Sequence, residues 1–314
     1  MAMSVFFGYH MPNFSFQEVR REHLFDHVAG LTQAAEAAGF DLVTVMDHFY
    51  QIRGVGPETE PMLEAYTTLG GLAARTTRIL LGTLVTGVTY RNPALLAKMV
   101  TTLDTVSAGR AILGIGAAWN EDEHLGYGFD FPPIGRRMDR LDEALRIAKL
   151  MFTEERPSFN GRFYRIDRAL NSPRPIQEGG PRILVGGIGE SRTLRLVARY
   201  ADISNFFPLP LDELKRKLEI LEQHCETEGR DPSTILKTVM APFRLVMNEQ
   251  EARVLADRLP QDAPPLARPA TPEQAAGVLR DYLAAGFQGF VFRNANLSTP
   301  ELLTAAGDLK GLVD

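Results

Sequence analysis

Cysteine is almost absent from this sequence, and no long apolar run occurs in it. Cys225 is the only cysteine among 314 residues. One thiol excludes an intramolecular disulfide and a cysteine-rich metal site. Its spacing after Leu218 and Leu221 reads as one face of a helix, which suits a buried structural thiol. No stretch approaches the roughly 20 apolar residues of a membrane-spanning helix. The first residues, MAMSVFFGYHMP, have no basic segment and only a brief apolar run, so they do not read as a signal peptide. A cytoplasmic location is expected. Strong positive charge is also lacking: the formal net charge is −5. That balance argues against nucleic acid or an anionic membrane as the main partner. The six histidines are scattered. The first strand candidate is followed by His10-Met11-Pro12, without the His-x-His pair of metal-dependent barrel hydrolases, so no catalytic metal is expected.

What the sequence does have is alternation. Short β-like runs are followed by helix-like periodicity at Val5–Tyr9, Leu42–Met46, Ile79–Val85, Ala111–Ile115, Ile183–Val185, Asp202–Asn205, Thr238–Val246 and Phe290–Arg293. Eight such runs predict a parallel sheet closed into a (β/α)8 TIM barrel, one α/β domain over residues 1–314. Leu95, Met99, Leu103 and Val106 recur at helical spacing, as do Leu141, Leu145, Ala148 and Phe152; each set predicts a buried helix face. Glycine at Gly39, Gly109 and Gly286 falls between a helix and the next strand, where a left-handed residue turns the chain. Residues 117–135 read as a loop over the active face. Phe159-Asn160-Gly161-Arg162-Phe163-Tyr164 reads as a hairpin with Asn-Gly at two positive-φ positions. The five prolines of residues 260–272 mark a loop or linker.

Chemistry-bearing residues collect just past the strand candidates. Asp47 and His48 follow the second, and Thr86 and Gly87 the third. Gly116, Trp119 and Asn120 follow the fourth, and Gly186, Gly187 and Gly189 the fifth. Asn205 ends the sixth, and Arg293 and Asn294 the eighth. In a parallel barrel these ends share one face, and that face carries the active site. Gly186-Gly187-Ile188-Gly189, between a strand and a helix start, suits a phosphate. Its spacing meets no nucleotide fingerprint, and a plain strand-to-helix turn reads equally well. His48 can exchange a proton near neutral pH, whereas a capping Asp beside a structural His is the bland alternative. Trp119 is either an apolar pocket wall or a plug under the 117–135 loop.

Three stretches carry a resemblance: DHFYQIRG (47–54), LLGTLVTGVTYRNPALLAKMVTTLDTVSAGRAILGIGAAWNEDEHLGYG (80–128) and GGIGESRTLRLVARYADISNFF (186–207). Together they resemble the luciferase-like monooxygenase superfamily, in particular its coenzyme F420-dependent oxidoreductases. The resemblance implies a luciferase-like barrel with an insertion, and a non-proline cis peptide at Leu84-Val85 whose bulge backs the cofactor ring beside Thr86. It implies Asp47 and His48 next to the ring, and the cofactor phosphate on Gly186, Gly187, Ile188 and Gly189. Gly116, Glu123, Arg137 and Met138 match segments that line the cofactor or its tail, with Trp119 and Asn120 on the same rim. Sugar-phosphate dehydrogenases of this superfamily place a Glu acid after the fourth strand, where Trp119 stands here. That departure disfavours a sugar phosphate and favours a small apolar or aromatic substrate.

The activity implied is hydride transfer between coenzyme F420 and a small organic substrate. Two alternatives stand beside it. One is an FMN-dependent monooxygenase fed reduced flavin by a partner reductase. The other is a flavin-binding barrel without catalysis. Relatives that pair through barrel helices suggest a homodimer.

Overall fold

The computed structural model describes residues 4–246 and 248–313. Eight parallel strands form the central sheet: β1 (Phe6–Met11), β2 (Leu42–Val45), β3 (Leu80–Thr83), β4 (Ala111–Gly116), β5 (Arg182–Gly186), β6 (Ile203–Phe206), β7 (Leu236–Ala241) and β8 (Gly289–Arg293). β8 pairs with β1 in the register Phe6↔Gly289 to His10↔Arg293. The remaining neighbours follow in chain order, and β3 pairs with β4 through Leu81↔Ala111 and Gly82↔Ile112, which closes the barrel. The expected (β/α)8 barrel is what forms.

The helices α1 (Leu24–Ala37), α2 (Ala65–Ala73), α3 (Pro93–Val106), α4 (Glu121–Tyr127), α5 (Ile134–Thr153), α6 (Thr193–Tyr200), α7 (Leu211–Glu228), α8 (Glu249–Ala256), α9 (Pro272–Ala284) and α10 (Pro300–Val313) follow the strands. Their starts are written locally. Asn92 Oδ1 accepts from the Ala94 N–H at 2.9 Å and Pro93 opens α3, while Thr271 and Gln274 form a capping box on α9. Gly39, Gly109 and Gly286 take φ of 83°, 87° and 104°, as their places between helix and strand require.

The barrel interior is packed rather than hollow. Leu42, Ile112, Leu184 and Ile203 form its apolar layer, with Phe6, Leu80, Leu84, Val85 and Leu236 against it. The larger apolar core lies between strands and helices and includes Leu141, Leu145, Ala148, Phe152 and Cys225, all buried. Among the described residues no helix is long and apolar enough to cross a membrane.

Five local expectations change. On α3, Leu95 and Val106 are exposed, and the buried stripe is Leu96, Ala97, Val100 and Leu103. Two adjacent apolar stripes share one period, and only packing against α2 and α5 selects the phase. The 117–135 segment contains α4 rather than loop alone. The hairpin forms, Phe159 pairing Ile166 and Asn160 pairing Arg165, but over a four-residue loop. Neither Asn160 nor Gly161 has positive φ. The loop is held by the Glu143 carboxylate, which accepts from the N–H groups of Arg162, Phe163 and Tyr164 at 2.7, 3.0 and 3.0 Å. β7 stops at Ala241 because Pro242 has no N–H to donate to the ladder. β3 stops at Thr83 and resumes as Thr86–Gly87, with a cis peptide at Leu84-Val85 between them.

Candidate active site at the C-terminal rim

Asp47 and His48 follow β2, and Gly187 follows β5, so both segments open on the C-terminal rim. His48 is 9% exposed. Its Nδ1 donates to Glu123 Oε2 at 2.6 Å. Glu123 is fully buried on the first turn of α4 and collects three further donors. These are the Phe49 N–H, the Tyr90 hydroxyl at 2.8 Å and the Asn120 amide at 3.4 Å. Burial works to raise the Glu123 carboxyl, but the His48 hydrogen bond and charge, with the Phe49 and Tyr90 donors, outweigh it and hold the group below the ordinary carboxylate range. An ionised Glu123 fixes the proton of His48 on Nδ1 and leaves Nε2 for a ligand.

The helix that brings Glu123 is itself clamped. His124 Nδ1 donates to Asn120 O at 2.5 Å, and its Nε2 meets Thr89 Oγ1 at 2.6 Å. Phe49 packs on Tyr90, Tyr127 and Phe129 with centroid distances of 4.8, 4.5 and 5.6 Å. A His–Glu pair thus exists here, its carboxylate supplied one helical turn past position 119.

Trp119 is 57% exposed, and its ring lies 5.7 Å from the His48 ring, edge to face. With Tyr50, Gln51, Ile52 and Asn120 it lines a cavity of about 530 Å³. It is a wall and not a plug. Asp47 is 1% exposed and both its oxygens face Arg91, at 2.5 and 3.0 Å. Burial pushes the Asp47 carboxyl up, and Arg91 partly offsets this. Arg91 also reaches Glu64 at 2.8 Å and stands 4.9 Å over the Tyr66 ring. Both Asp47 oxygens are thus engaged by Arg91 and turned from His48, in contrast to the expected place of Asp47 in the chemistry.

The third strand supplies the opposite wall. Val85 stands between two glycines: a Cβ on Gly116 would meet its side chain at 2.9 Å, and one on Gly186 at 3.0 Å. Thr86 is completely buried, its hydroxyl shared with Tyr66 at 2.8 Å and Thr83 at 3.0 Å. Thr86 and Met138, the latter packed in the core, have next to no surface for a ligand, so neither side chain fits its expected cofactor contact.

Past β5 the backbone fits a phosphate. Gly187 has φ 119°, and a Cβ on Gly189 would meet Thr193 Oγ1 at 2.9 Å. Among the described residues nothing accepts from the N–H groups of Ile188, Gly189, Glu190 or Ser191. The Glu190 carboxylate points away to Arg216 and Lys217, at 2.6 and 2.9 Å. Arg192 Nη1 donates to Gly135 O at 2.8 Å, which seats the start of α6 on the start of α5. There Arg137 is 8% exposed, stacks 3.9 Å over Phe131 and keeps a buried Nε with no acceptor. Open N–H groups, a cradle without Cβ atoms and an orphaned guanidinium nitrogen suit a phosphorylated cofactor.

The sequence reading passed over Tyr90 and Arg91, which sit between β3 and α3 and tie Glu123 and Asp47 in place. Their place just past a strand end was the available signal. Among the described residues no three His, Cys, Asp or Glu side chains gather as they would around an ion.

This geometry has counterparts. The luciferase-like monooxygenase family model matches residues 5–303. The chain belongs to the luciferase-like monooxygenase family. An F420-dependent glucose-6-phosphate dehydrogenase of Kineococcus radiotolerans is 32% identical over 305 residues, covering 88% of this chain and 89% of that one. An uncharacterised protein of Mycobacterium tuberculosis is 33% identical over 170 residues, and the match spans 58% of that protein's length. Among solved luciferase-like folds, an F420-dependent secondary alcohol dehydrogenase in complex with an F420-acetone adduct superposes with a TM-score of 0.80 at 18% identity, covering 99% of this chain and all of that one.

Proposed function

We propose that this luciferase-like chain is an F420-dependent oxidoreductase that moves a hydride between the cofactor ring and a small organic substrate. The observation that carries this is the buried His48–Glu123 pair on the same rim as the open Gly187–Gly189 cradle. Relatives named as F420-dependent over most of this chain support the choice of cofactor.

When bound, the deazaflavin supplies a ring carbon that gives or takes a hydride. The protein supplies position, exclusion of water and one proton site. The cradle's N–H groups and Arg137 hold the anionic part of the cofactor. Val85 forms the wall behind the ring. Glu123 holds His48 by Nδ1, and His48 Nε2 holds or passes the proton at the substrate oxygen. Trp119 closes the outer side of that space. Asp47, held by Arg91, fixes the chain just before His48. One domain, a homodimer paired through barrel helices and a cytoplasmic location complete the proposal.

The family's monooxygenase name favours a second reading, with FMN reduced by a partner reductase, since the cradle suits either phosphate. Titrating the purified apoprotein with F420 and with FMN, by fluorescence quenching, separates the two. F420 is expected to bind at least about tenfold more tightly. Tight FMN binding without F420 binding overturns the proposal. A barrel that only carries the cofactor would show binding but no cofactor turnover with any substrate.

A further inference from the structure

Arg293 ends β8, directly beside His10 of β1 in the sheet register. Two residues earlier, Val291 meets Gly8 inside the barrel, where a Cβ on Gly8 would stand 3.2 Å from it. Strand alternation therefore turns Arg293 into the barrel mouth. No hydrogen bond, ion pair or ring contact joins its guanidinium to any described residue.

Three other mostly buried arginines are partnered. Arg91 holds Asp47 and Glu64. Arg110 donates to Ser107 O, Ile79 O, Ala73 O and both oxygens of Thr76. Arg137 bonds Pro132 O and stacks on Phe131. Arg293 feels only burial, which pulls its pKa down, and no carboxylate reaches it. The two fully buried acids on this rim are already taken, Asp47 by Arg91 and Glu123 by His48 and Tyr90. A half-buried guanidinium without a counter-charge is costly, so the place is built for an anion that arrives from outside.

The neighbours narrow that anion. His10 is buried against Thr44 Oγ1 at 2.9 Å. Burial first, and then the charge of Arg293, push its pKa down to about 3, so it stays neutral. Arg293 is the one permanent charge that reaches it. One buried positive charge balances a monoanion, whereas a phosphate dianion would bring in a second, uncompensated charge. A planar carboxylate also matches the two-pronged guanidinium. The small residues Gly116 and Gly186 and the Val85 wall lie on β3, β4 and β5, so the ring's berth and Arg293 occupy different sides of the mouth.

We propose that Arg293 docks a carboxylate of the substrate, and hence that the substrate is a small organic acid whose reacting carbon is turned toward His48. This rests on the oxidoreductase reading for the word substrate, but not on which cofactor binds.

The test is calorimetric titration of the full-length protein with benzoate and with phenyl phosphate, with and without saturating cofactor. Wild type is expected to bind benzoate about tenfold more tightly than phenyl phosphate. Arg293→Gln should weaken benzoate at least about tenfold, with cofactor affinity unchanged and a thermal midpoint no lower than that of wild type. Arg293→Lys, which keeps the charge and loses the fork, should still weaken benzoate about threefold, and it decides the matter if the Gln variant does not fold. The proposal is overturned if wild type ignores benzoate, if phenyl phosphate binds more tightly, or if neither variant weakens benzoate. Displacement of benzoate by cofactor also overturns it, since Arg293 would then serve the cofactor. A failed F420 titration leaves the benzoate result standing, so the two proposals fail separately.

Discussion

His48 Nδ1 and Glu123 Oε2 lie 2.6 Å apart, although 75 residues separate them in the chain. The contact joins the end of β2 to the first turn of α4, and it makes the orientation of His48 depend on a carboxylate that touches no solvent.

Glu123→Gln should therefore lower turnover by about 10–100-fold while cofactor affinity stays within about threefold. Glu123→Asp keeps the charge and should recover part of the loss. Steady-state rates and cofactor quenching, measured side by side, check this. An unchanged rate in the Gln variant would leave Glu123 with a purely structural place.

Acid should destabilise the fold through His10. Its pKa falls from 6.5 to about 3 on folding. Between those values the unfolded chain binds a proton that the folded chain refuses, so stability drops as pH falls through that window. One such group contributes a slope of up to about 1.36 kcal/mol per pH unit. Glu123 acts lower down: its carboxyl is held below 4.5, so its contribution is complete above that pH and is lost as pH falls through the lower folded value. Urea midpoints measured from pH 7 to pH 4 should decline less steeply in His10→Gln than in wild type.

Removing Arg91 should be worse than removing the whole ion pair. Arg91→Ala strands Asp47, buried and ionised, at a cost of about 3–5 kcal/mol. The double variant Arg91→Ala/Asp47→Ala should lose less than the single one. Chemical denaturation of all the variants checks it, and additive losses would contradict the pairing.

Gly187→Ala should weaken cofactor binding by about tenfold, or about 1.4 kcal/mol. The native φ of 119° is closed to alanine, and the added Cβ would stand 3.3 Å from Thr193 Cγ2. Backbone strain of about 1–3 kcal/mol should appear in the thermal midpoint as well. Equal cofactor affinity in the variant would remove the cradle from phosphate binding.

The barrel was legible because its strands are marked locally, though α4 was not, and parallel strands leave no choice about which ends share a rim. Glycine at Gly39 and Gly286 marked its turns for the same local reason. The His48–Glu123 contact was not legible. It depends on where α4 points its first turn, and that is set by Phe49, Tyr90 and Phe129 packing from three separate segments. The departure at position 119 gave no sign of the pair, because an aligned position says nothing about what a side chain four residues later can reach. Asp47 misled in a similar way: its sequence neighbour is His48, but its partner in space is Arg91. The phase of α3 and the loop of the hairpin were decided by tertiary contacts, at Val100 and at Glu143.

Val85 fills the gap that Gly116 and Gly186 leave between neighbouring strands. On the proposed reading, the depth of the ring's seat is thus governed by two methyl groups rather than by the course of the backbone. Trimming them with Val85→Ala offers a way to deepen that seat and retune which tricyclic cofactor it accepts, while all eight strands keep their register.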